Sequence, residues 1–310
     1  MFTVSLQYKG LDASFKFPWK IGIVSFMAYP EMMAGKGDIV GNIRKLVEDP
    51  FFDGVEVCAL TDKQWEQVKK FIGSKTVAMG MQPDILMKKL SLSDFDSDIR
   101  RRSIETMKKI VDIAASRNLG TVAVCSGPDL GLERRDEAKK LFIDSLRNIC
   151  NYAAQRGVMI IVEAFDRDCD KRLLVGPVKE AAEIVGAVRA EYSNIGLMWD
   201  LSHAPMLKET PEDLESVKDV LAHIHIGCSK LVDGKYLDTH PVFYGPGAVN
   251  GIDEVKALLR KLLEIGYKGM VSFEVRPEDG QTAEGVIATS KGVLVSAYLR
   301  LVSELLGGEA

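Results

Sequence analysis

The chain has 310 residues, of which 46% are hydrophobic and 27% are charged, and its formal net charge at pH 7 is −4. This composition is typical of a globular protein with a sizeable core, and the length suits one large domain. The net negative charge argues against a nucleic-acid partner, since nucleic-acid-binding proteins usually carry clustered lysine and arginine. The sequence also has no run of about 18 apolar residues that would indicate a membrane span.

The five cysteines are odd in number and widely spaced, without a Cys-x-x-Cys pair. This usage favours the reducing cytoplasm over a disulfide framework. The first residues do not form an apolar core followed by a cleavage site, as a secretory signal would. We therefore expect a cytoplasmic protein.

Eight apolar runs, each of the length of a buried strand, alternate with helical patterns along the chain. The runs cover residues 20–27, 52–60, 75–82, 119–127, 157–165, 194–201, 220–227 and 267–275. The predicted helices cover residues 39–50, 62–73, 98–118, 134–156, a segment opened by Pro177, 212–219, 252–265 and 282–306. Residues 28–38, about fifteen residues up to Asp96, and residues 228–251 are predicted as loops.

Strict alternation of strands and helices demands a parallel sheet, because each helical crossover returns the chain to the same end. Eight such units predict the α/β class and a closed (β/α)₈ TIM barrel. A doubly wound sheet lacks support, because no G-x-G-x-x-G pattern follows the first strand. We expect a single TIM-barrel domain over residues 1–310, with residues 1–19 as an N-terminal extension or cap.

Four of the runs end in residues that can hold a metal ion. They are Glu163 in IIVEAF, Asp200 in GLMWDLSH, His225 in AHIHIG and Glu274 in MVSFEV. The carboxyl ends of all strands open on one face of a barrel, and a buried ionisable group is costly unless it is paired or coordinated. We predict that these four residues bind one divalent cation. Three carboxylates favour Mn²⁺, with Mg²⁺, Co²⁺ or Zn²⁺ as alternatives.

All four histidines of the chain lie between residues 203 and 240. His223 and His225 share one face of their strand because the side-chain period is two, so the sequence alone does not decide which is the ligand. We choose His225, which is nearer the carboxyl end, and assign His223 to support or packing.

Five further residues are candidates for substrate binding: Glu56, His203, Lys230, His240 and Arg276. Glu56 is a carboxylate inside an apolar run and needs a partner, and His203 follows Asp200 by three residues. The two cations flank the seventh and eighth runs, where they could neutralise substrate oxygens or a phosphate. Each of the five also has a structural interpretation, as a satisfied loop histidine or a solvated charge.

Taken together, these motifs resemble the xylose isomerase-like barrel superfamily of sugar isomerases and epimerases over nearly the whole chain. The matching residues are Glu163 in IVEAF, Asp200 and His203 in WDLSH, His225 in HIHIG and Glu274 in SFEV. The segments YLDTHPVFYGPGAVNGID and VSFEVRP resemble a subgroup described as sugar phosphate isomerase/epimerase.

The resemblance implies a ketose 3-epimerase-like reaction on a small-molecule sugar. Glu163 and Glu274 would be the catalytic residues: one removes the proton next to the carbonyl, and the other returns a proton on the opposite face. The metal would stabilise the enediolate between these steps. In those epimerases an arginine often follows the histidine of the seventh strand, whereas here the nearest basic residue is Lys230.

Other functions use related sites. A dehydratase or lyase acting on a cyclic polyol or keto acid, of the inosose or dehydroshikimate type, would use the same proton abstraction and then expel a hydroxyl. A barrel endonuclease needs a trinuclear site with many histidines and a basic groove, and a non-catalytic sugar-binding barrel has no need of acid/base carboxylates. We therefore expect a metal-dependent sugar isomerase or epimerase without nucleic-acid or membrane partners, with a homo-oligomer left open.

Overall fold

Eight parallel strands form one sheet that curls round until its first and last members meet. The computed structural model describes residues 2–307. Its strands are β1 (Thr3–Tyr8), β2 (Leu11–Lys16), β3 (Ile21–Ile23), β4 (Gly54–Val57), β5 (Thr76–Gly80), β6 (Thr121–Val124), β7 (Met159–Glu163), β8 (Ile195–Asp200), β9 (Leu221–Ile226), β10 (Lys230–Val232), β11 (Lys235–Leu237) and β12 (Val271–Phe273).

The sheet has the order β3-β12-β9-β8-β7-β6-β5-β4, and its neighbouring strands are parallel. Its two outer strands are joined by a parallel bridge between Val24 and Glu56. Beside this bridge, the Asp53 N–H donates to the Ile21 carbonyl at 2.6 Å. The sheet is therefore a nearly closed barrel, and the predicted (β/α)₈ fold is confirmed.

A helical segment lies between each barrel strand and the next. The α-helices of the described residues are α1 (Ser25–Ala28), α2 (Ile39–Glu48), α3 (Asp62–Val68), α4 (Gln82–Met87), α5 (Ser97–Ser116), α6 (Arg135–Ala154), α7 (Val178–Arg189), α8 (Ala204–Leu207), α9 (Ile252–Glu264) and α10 (Ala283–Leu305). Three 3₁₀ segments, Pro30–Ala34, Leu132–Arg134 and Pro211–Val217, complete the connections.

Short polar residues start several of these helices, as their sequences predict. Asp38 caps α2 by accepting the Gly41 N–H at 2.9 Å. Thr61 and Gln64 form a capping box at α3, with each side chain accepting the other residue's N–H. These contacts satisfy backbone donors that have no partner within the helix.

The predicted loops contain more structure than their sequences indicate. The segment before Asp96 holds α4, with Pro83 in its first turn. Residues 228–251 contain the antiparallel β10–β11 hairpin, and residues 28–38 include one of the 3₁₀ segments. The short helix predicted at 212–219 is present as the 3₁₀ segment Pro211–Val217.

The barrel interior changes character from one end to the other. In the middle of the strands it is apolar, with Ala123, Ile161 and Met198 packed together. Gly196 lies so close to the next strand that a Cβ on it would stand 2.4 Å from the Ala222 Cβ. At the carboxyl ends the inward positions carry ionisable groups instead, so the polar site sits on a packed apolar floor.

The β1–β2 hairpin lies at the amino ends of the strands. Phe2 stacks on Phe17 and on Phe51, with ring centroids 4.9 and 5.4 Å apart. Phe51 lies three residues before β4, and Trp19, whose indole donates to the Tyr267 carbonyl, lies two before β3. The hairpin is thus at the end of the barrel opposite the strand ends that carry the ionisable groups.

One helix among residues 2–307, α10, is long and apolar enough to cross a membrane by length and composition. Half of its most apolar 18-residue window is buried inside the protein. Its buried positions recur at helical spacing: Val286, Ile287, Ser290, Val293, Leu294, Ala297, Tyr298, Leu301 and Val302. A single buried stripe of this kind is typical of a core helix in a globular protein.

The close packing around Gly196 leads to a stability prediction. We expect Gly196→Ala to lower the free energy of unfolding by about 1–3 kcal/mol, because the Ala222 methyl has no rotamer with which to move away. As a matched control, Gly186→Ala in the interior of α7 meets no atom within 4 Å and should raise the free energy by about 0.5–1 kcal/mol. Urea denaturation measures both, and equal effects of the two substitutions would contradict this account of the floor.

Candidate metal centre and active site

The four predicted ligands lie at the carboxyl ends of four barrel strands. Glu163 and Asp200 are the last residues of β7 and β8, His225 is in β9, and Glu274 directly follows β12. One potential ligand atom from each residue lies within 4.8 Å of those of the other three. Barrel closure therefore brings together groups that are up to 111 residues apart in the sequence (163 to 274).

The donor set fits a divalent cation. The His225 Nδ1 lies 2.6 Å from the Glu274 Oε2, yet these two buried atoms make no hydrogen bond with each other or with another described atom. Both face the same small space beside Glu163 and Asp200. Adjacent ligands of an octahedral ion at about 2.1 Å stand about 3.0 Å apart, which is close to the observed spacing.

Neighbouring groups hold the ligand carboxylates in place. The Gln82 amide donates to the Glu163 Oε2 at 2.7 Å. The Ser202 N–H and hydroxyl donate to Asp200 at 2.7 and 2.5 Å. Such outer contacts orient ligands and are a regular feature of metal sites.

Glu56 plays the same part for the imidazole ligand. Its two carboxylate oxygens each lie 3.2 Å from the His225 Nε2, and one of them lies 2.8 Å from the His223 Nε2. The Nδ1 of His225 is thereby turned toward the four-residue cluster. Burial alone would raise the pKa of Glu56, but His225 and His223 outweigh it and hold the pKa well below its usual range. Glu56 is thus a buried anion between two imidazoles.

A second group of ionisable residues lies directly beside the first. The His203 Nδ1 donates to the Ala164 carbonyl at 2.9 Å, and its Nε2 lies 3.3 Å from the Asp238 Oδ1. The His240 Nε2 lies 2.8 Å from the same oxygen. The Lys171 ammonium approaches the other oxygen of Asp238 at 3.3 Å.

Several ionisable groups of the site have raised pKa values, so each binds its proton more tightly than it would in water. Burial and the Glu274 charge raise the pKa of Glu163. Burial by itself would lower the pKa values of the histidines, but the surrounding carboxylates outweigh it. The pKa values of His225 and His203 therefore lie well above the usual value, and that of His240 rises to about 9. The site therefore takes up protons where no metal compensates its carboxylates.

A cavity of about 190 Å³ opens above these groups, bordered by Glu163, His225 and Glu274. One wall is apolar and is formed by Val24, Phe26, Met27, Met33, Pro83, Leu86, Met87 and Phe165. A mostly apolar wall facing a few convergent polar groups is typical of a small-molecule site.

The residues expected to bind substrate fall into two groups. Glu56, His240 and Arg276 border the cavity, although the Glu56 carboxylate is occupied by two imidazoles. His203 is buried beneath the cavity, and the structure does not bring Lys230 to it. The Lys230 ammonium instead pairs with Glu278 at 2.5 Å.

Three residues of the site, Gln82, Lys171 and Asp238, were not predicted from the sequence. Asp238 stands two residues before His240 in a polar loop, and this spacing was a usable signal for a His/Asp site. Gln82 ends the third apolar run, where a polar side chain could have suggested the barrel mouth. Lys171 lies in a run of charges whose pattern carries no such signal.

The raised pKa values of Glu163 and His225 predict how metal binding depends on pH. Binding requires ionised Glu163 and neutral His225, and both groups have raised pKa values in the absence of metal. The affinity for Mn²⁺ should therefore rise from pH 6 to pH 8.5, with proton release on binding. Calorimetric titration in two buffers of different ionisation enthalpy measures the protons released. A pH-independent affinity without proton release would contradict the assignment.

Comparison with known proteins agrees with the barrel fold. The sequence matches the family described as xylose isomerase-like TIM barrel over residues 47–291. No curated protein matches the chain.

Several solved structures share the fold. D-psicose 3-epimerase from Clostridium cellulolyticum H10, solved with D-tagatose, aligns with a TM-score of 0.65 and 18% identity, covering 94% of this chain and 100% of that one. An L-ribulose 3-epimerase aligns with a TM-score of 0.69 and 17% identity over 94% and 99% of the two chains. An IolI protein with a bound zinc atom aligns with a TM-score of 0.67 and 20% identity over 92% and 98%. The family match spans most of the sequence, and this chain belongs to the xylose isomerase-like TIM barrel family.

Proposed function

We propose that this protein is a divalent-metal-dependent sugar isomerase or epimerase that moves a proton on the carbon next to a carbonyl. The observation that carries the proposal is the convergence of Glu163, Asp200, His225 and Glu274 within 4.8 Å of one another, three of which border a cavity. The fold is that of several sugar epimerases, but at 17–18% identity this likeness supports the fold and not the substrate.

The four converging residues would hold the cation. Their three carboxylates and one imidazole favour Mn²⁺, with Mg²⁺, Co²⁺ and Zn²⁺ as alternatives. A bound cation would polarise the substrate carbonyl and stabilise the negative charge that develops on its oxygen.

Glu163 and Glu274 would carry the proton transfers. Both border the cavity, and they approach it from β7 and β12, which are separated in the sheet by two strands. One carboxylate takes the proton from the carbon next to the carbonyl, and the electrons of the broken C–H bond move into an enediolate. The other delivers a proton to the opposite face, which inverts the carbon, and exchange with solvent restores both groups.

The remaining cavity residues would orient the sugar and limit access of water. Among residues 2–307, the Arg276 guanidinium makes no ion pair or hydrogen bond, so its donors can reach substrate oxygens. The apolar wall of Phe26, Met27 and Leu86 faces the polar floor. Excluding water strengthens the electrostatic contacts at the reacting carbon.

Proton exchange tests the catalytic pair. In D₂O with Mn²⁺ and a panel of ketoses, inososes and their phosphates, the wild type should wash deuterium into the carbon next to the carbonyl. Glu274→Gln and Glu163→Gln should each lower the exchange rate by about 10²–10⁴-fold, because an amide does not transfer the proton. Glu278→Gln, which removes a carboxylate outside the cavity, is the matched control and should keep the wild-type rate.

The products of the same reaction mixtures separate the two chemistries that share this proton abstraction. Epimerisation and isomerisation conserve the substrate mass, whereas a dehydratase product is lighter by one water. Full exchange in Glu274→Gln would remove this residue from the catalytic role. Loss of water from every accepted substrate would replace the proposed function by a dehydratase.

A further inference from the structure

Gln82 borders the cavity and carries a polar atom that the proposed proton transfers do not use. It is the first residue of α4, and only 8% of it is exposed to water. Its carbonyl oxygen is buried and makes no hydrogen bond with any atom of residues 2–307. A buried acceptor without a partner is rare in folded proteins and indicates a missing donor.

The hydrogen bond between Gln82 and Glu163 fixes the orientation of the amide. The Gln82 nitrogen lies 2.7 Å from the Glu163 Oε2. A Glu163 carboxylate that holds a cation is ionised and only accepts, so the NH₂ group faces it and the carbonyl oxygen is directed away. The other oxygen of Glu163, Oε1, lies 4.0 Å from the His225 Nδ1. Glu163 therefore presents one oxygen to the four-residue cluster and the other to Gln82.

The carbonyl oxygen of Gln82 lies on the inner side of the barrel wall. Gly80 pairs with Ala123, which is packed in the barrel interior, so Gly80 faces inward as well. A Cβ on Gly80 would stand 3.2 Å from the Gln82 Oε1 and 2.8 Å from the Phe26 ring. The oxygen is thus at the barrel mouth beside Phe26, which borders the same cavity.

The backbone around Gln82 holds the amide in this place. The Met81 N–H donates to the Ala123 carbonyl at 3.0 Å, which ties the start of α4 to β6. Pro83 lies in the first turn of α4, where its missing N–H has no cost. The amide is therefore positioned before a ligand arrives, which lowers the entropy lost on binding.

The cavity wall next to this oxygen is otherwise apolar. Beside Gln82, the cavity-bordering side chains from α1, from the 3₁₀ segment after it and from α4 are Phe26, Met27, Met33, Pro83, Leu86 and Met87. A sugar hydroxyl pressed against these side chains would lose its hydrogen bonds to water without replacement, which is costly. A hydroxyl opposite the Gln82 carbonyl would gain one. The wall therefore distinguishes between positions of hydroxyl groups on a bound sugar.

We propose that Gln82 is a specificity-determining residue, whose Oε1 accepts a hydrogen bond from one substrate hydroxyl while its NH₂ group positions Glu163. The two ends of an amide are close together, so this hydroxyl is on a carbon near the one whose proton Glu163 transfers. The inference rests on the proposed function. It narrows the substrate to a carbonyl sugar with a hydroxyl near the reacting carbon and a less polar surface toward α4.

Binding of deoxy sugars tests the inference. The probes are the four D-2-ketohexoses (psicose, fructose, sorbose and tagatose) and the 1-deoxy and 4-deoxy analogues of the hexose that binds most tightly to the Mn²⁺-loaded full chain by calorimetry. The wild type should bind one of these analogues about 3–10-fold more weakly than the hexose. In Gln82→Met, which keeps the length of the side chain, this ratio should fall to about one. Gln7→Met, at an exposed position of β1, is the matched control and should keep the wild-type ratio.

The ratio separates a substrate contact from a supporting role. If Gln82 only positions Glu163, Gln82→Met weakens binding of the hexose and of the analogue equally, and an unchanged ratio overturns the inference. Equal binding of the hexose and both analogues by the wild type overturns it, as does binding of none of the four hexoses. The proposed function survives these results as long as any sugar of the proton-exchange panel takes up deuterium, so the two failures are distinguishable.

A crystal structure of the wild type with Mn²⁺ and the tightest-binding hexose decides the question if Gln82→Met does not fold. A sugar hydroxyl should lie about 2.5–3.0 Å from the Gln82 Oε1. A water molecule or a C–H group of the sugar at this oxygen would overturn the inference.

Discussion

The site depends on neutralising negative charge that barrel closure forces together. Glu163, Asp200 and Glu274 reach the barrel mouth from three strands. Glu163 and Asp200 are almost completely buried. Removing carboxylates from water is costly unless an opposite charge is close. His225 is the one basic group within this cluster, and a single imidazolium does not balance three carboxylates. A divalent cation, as we propose, would supply the missing charge.

The surrounding contacts would keep these groups in place as ligands of the proposed cation. Gln82 donates to Glu163, Ser202 donates to Asp200, and Glu56 accepts from His225. Each contact uses an atom of the ligand and leaves another free to face the common space. Below them the barrel is filled by packed apolar residues, which support the charged layer.

The parts of the fold and the candidate site that the sequence predicts are those with a local signal. Each barrel strand is an apolar run, and a carboxylate or imidazole at its end stands out against its neighbours, which located Glu163, Asp200, His225 and Glu274. The loops have no such periodicity. Gln82 and Lys171 reach the cavity through α4 and a charged segment whose conformations depend on distant contacts. The short helix predicted at 212–219 is a 3₁₀ segment that begins at Pro211. Lys230 was predicted to bind substrate because it lies near a strand end, but its ammonium pairs with Glu278 outside the cavity.

Diffraction at the manganese absorption edge, from crystals grown with saturating Mn²⁺, tests the central claim most directly. The account predicts an anomalous peak about 2.0–2.3 Å from oxygens of Glu163, Asp200 and Glu274 and from the Nδ1 of His225. Side chains directed away from one another, or the absence of a peak among these four residues at saturating metal, would contradict it.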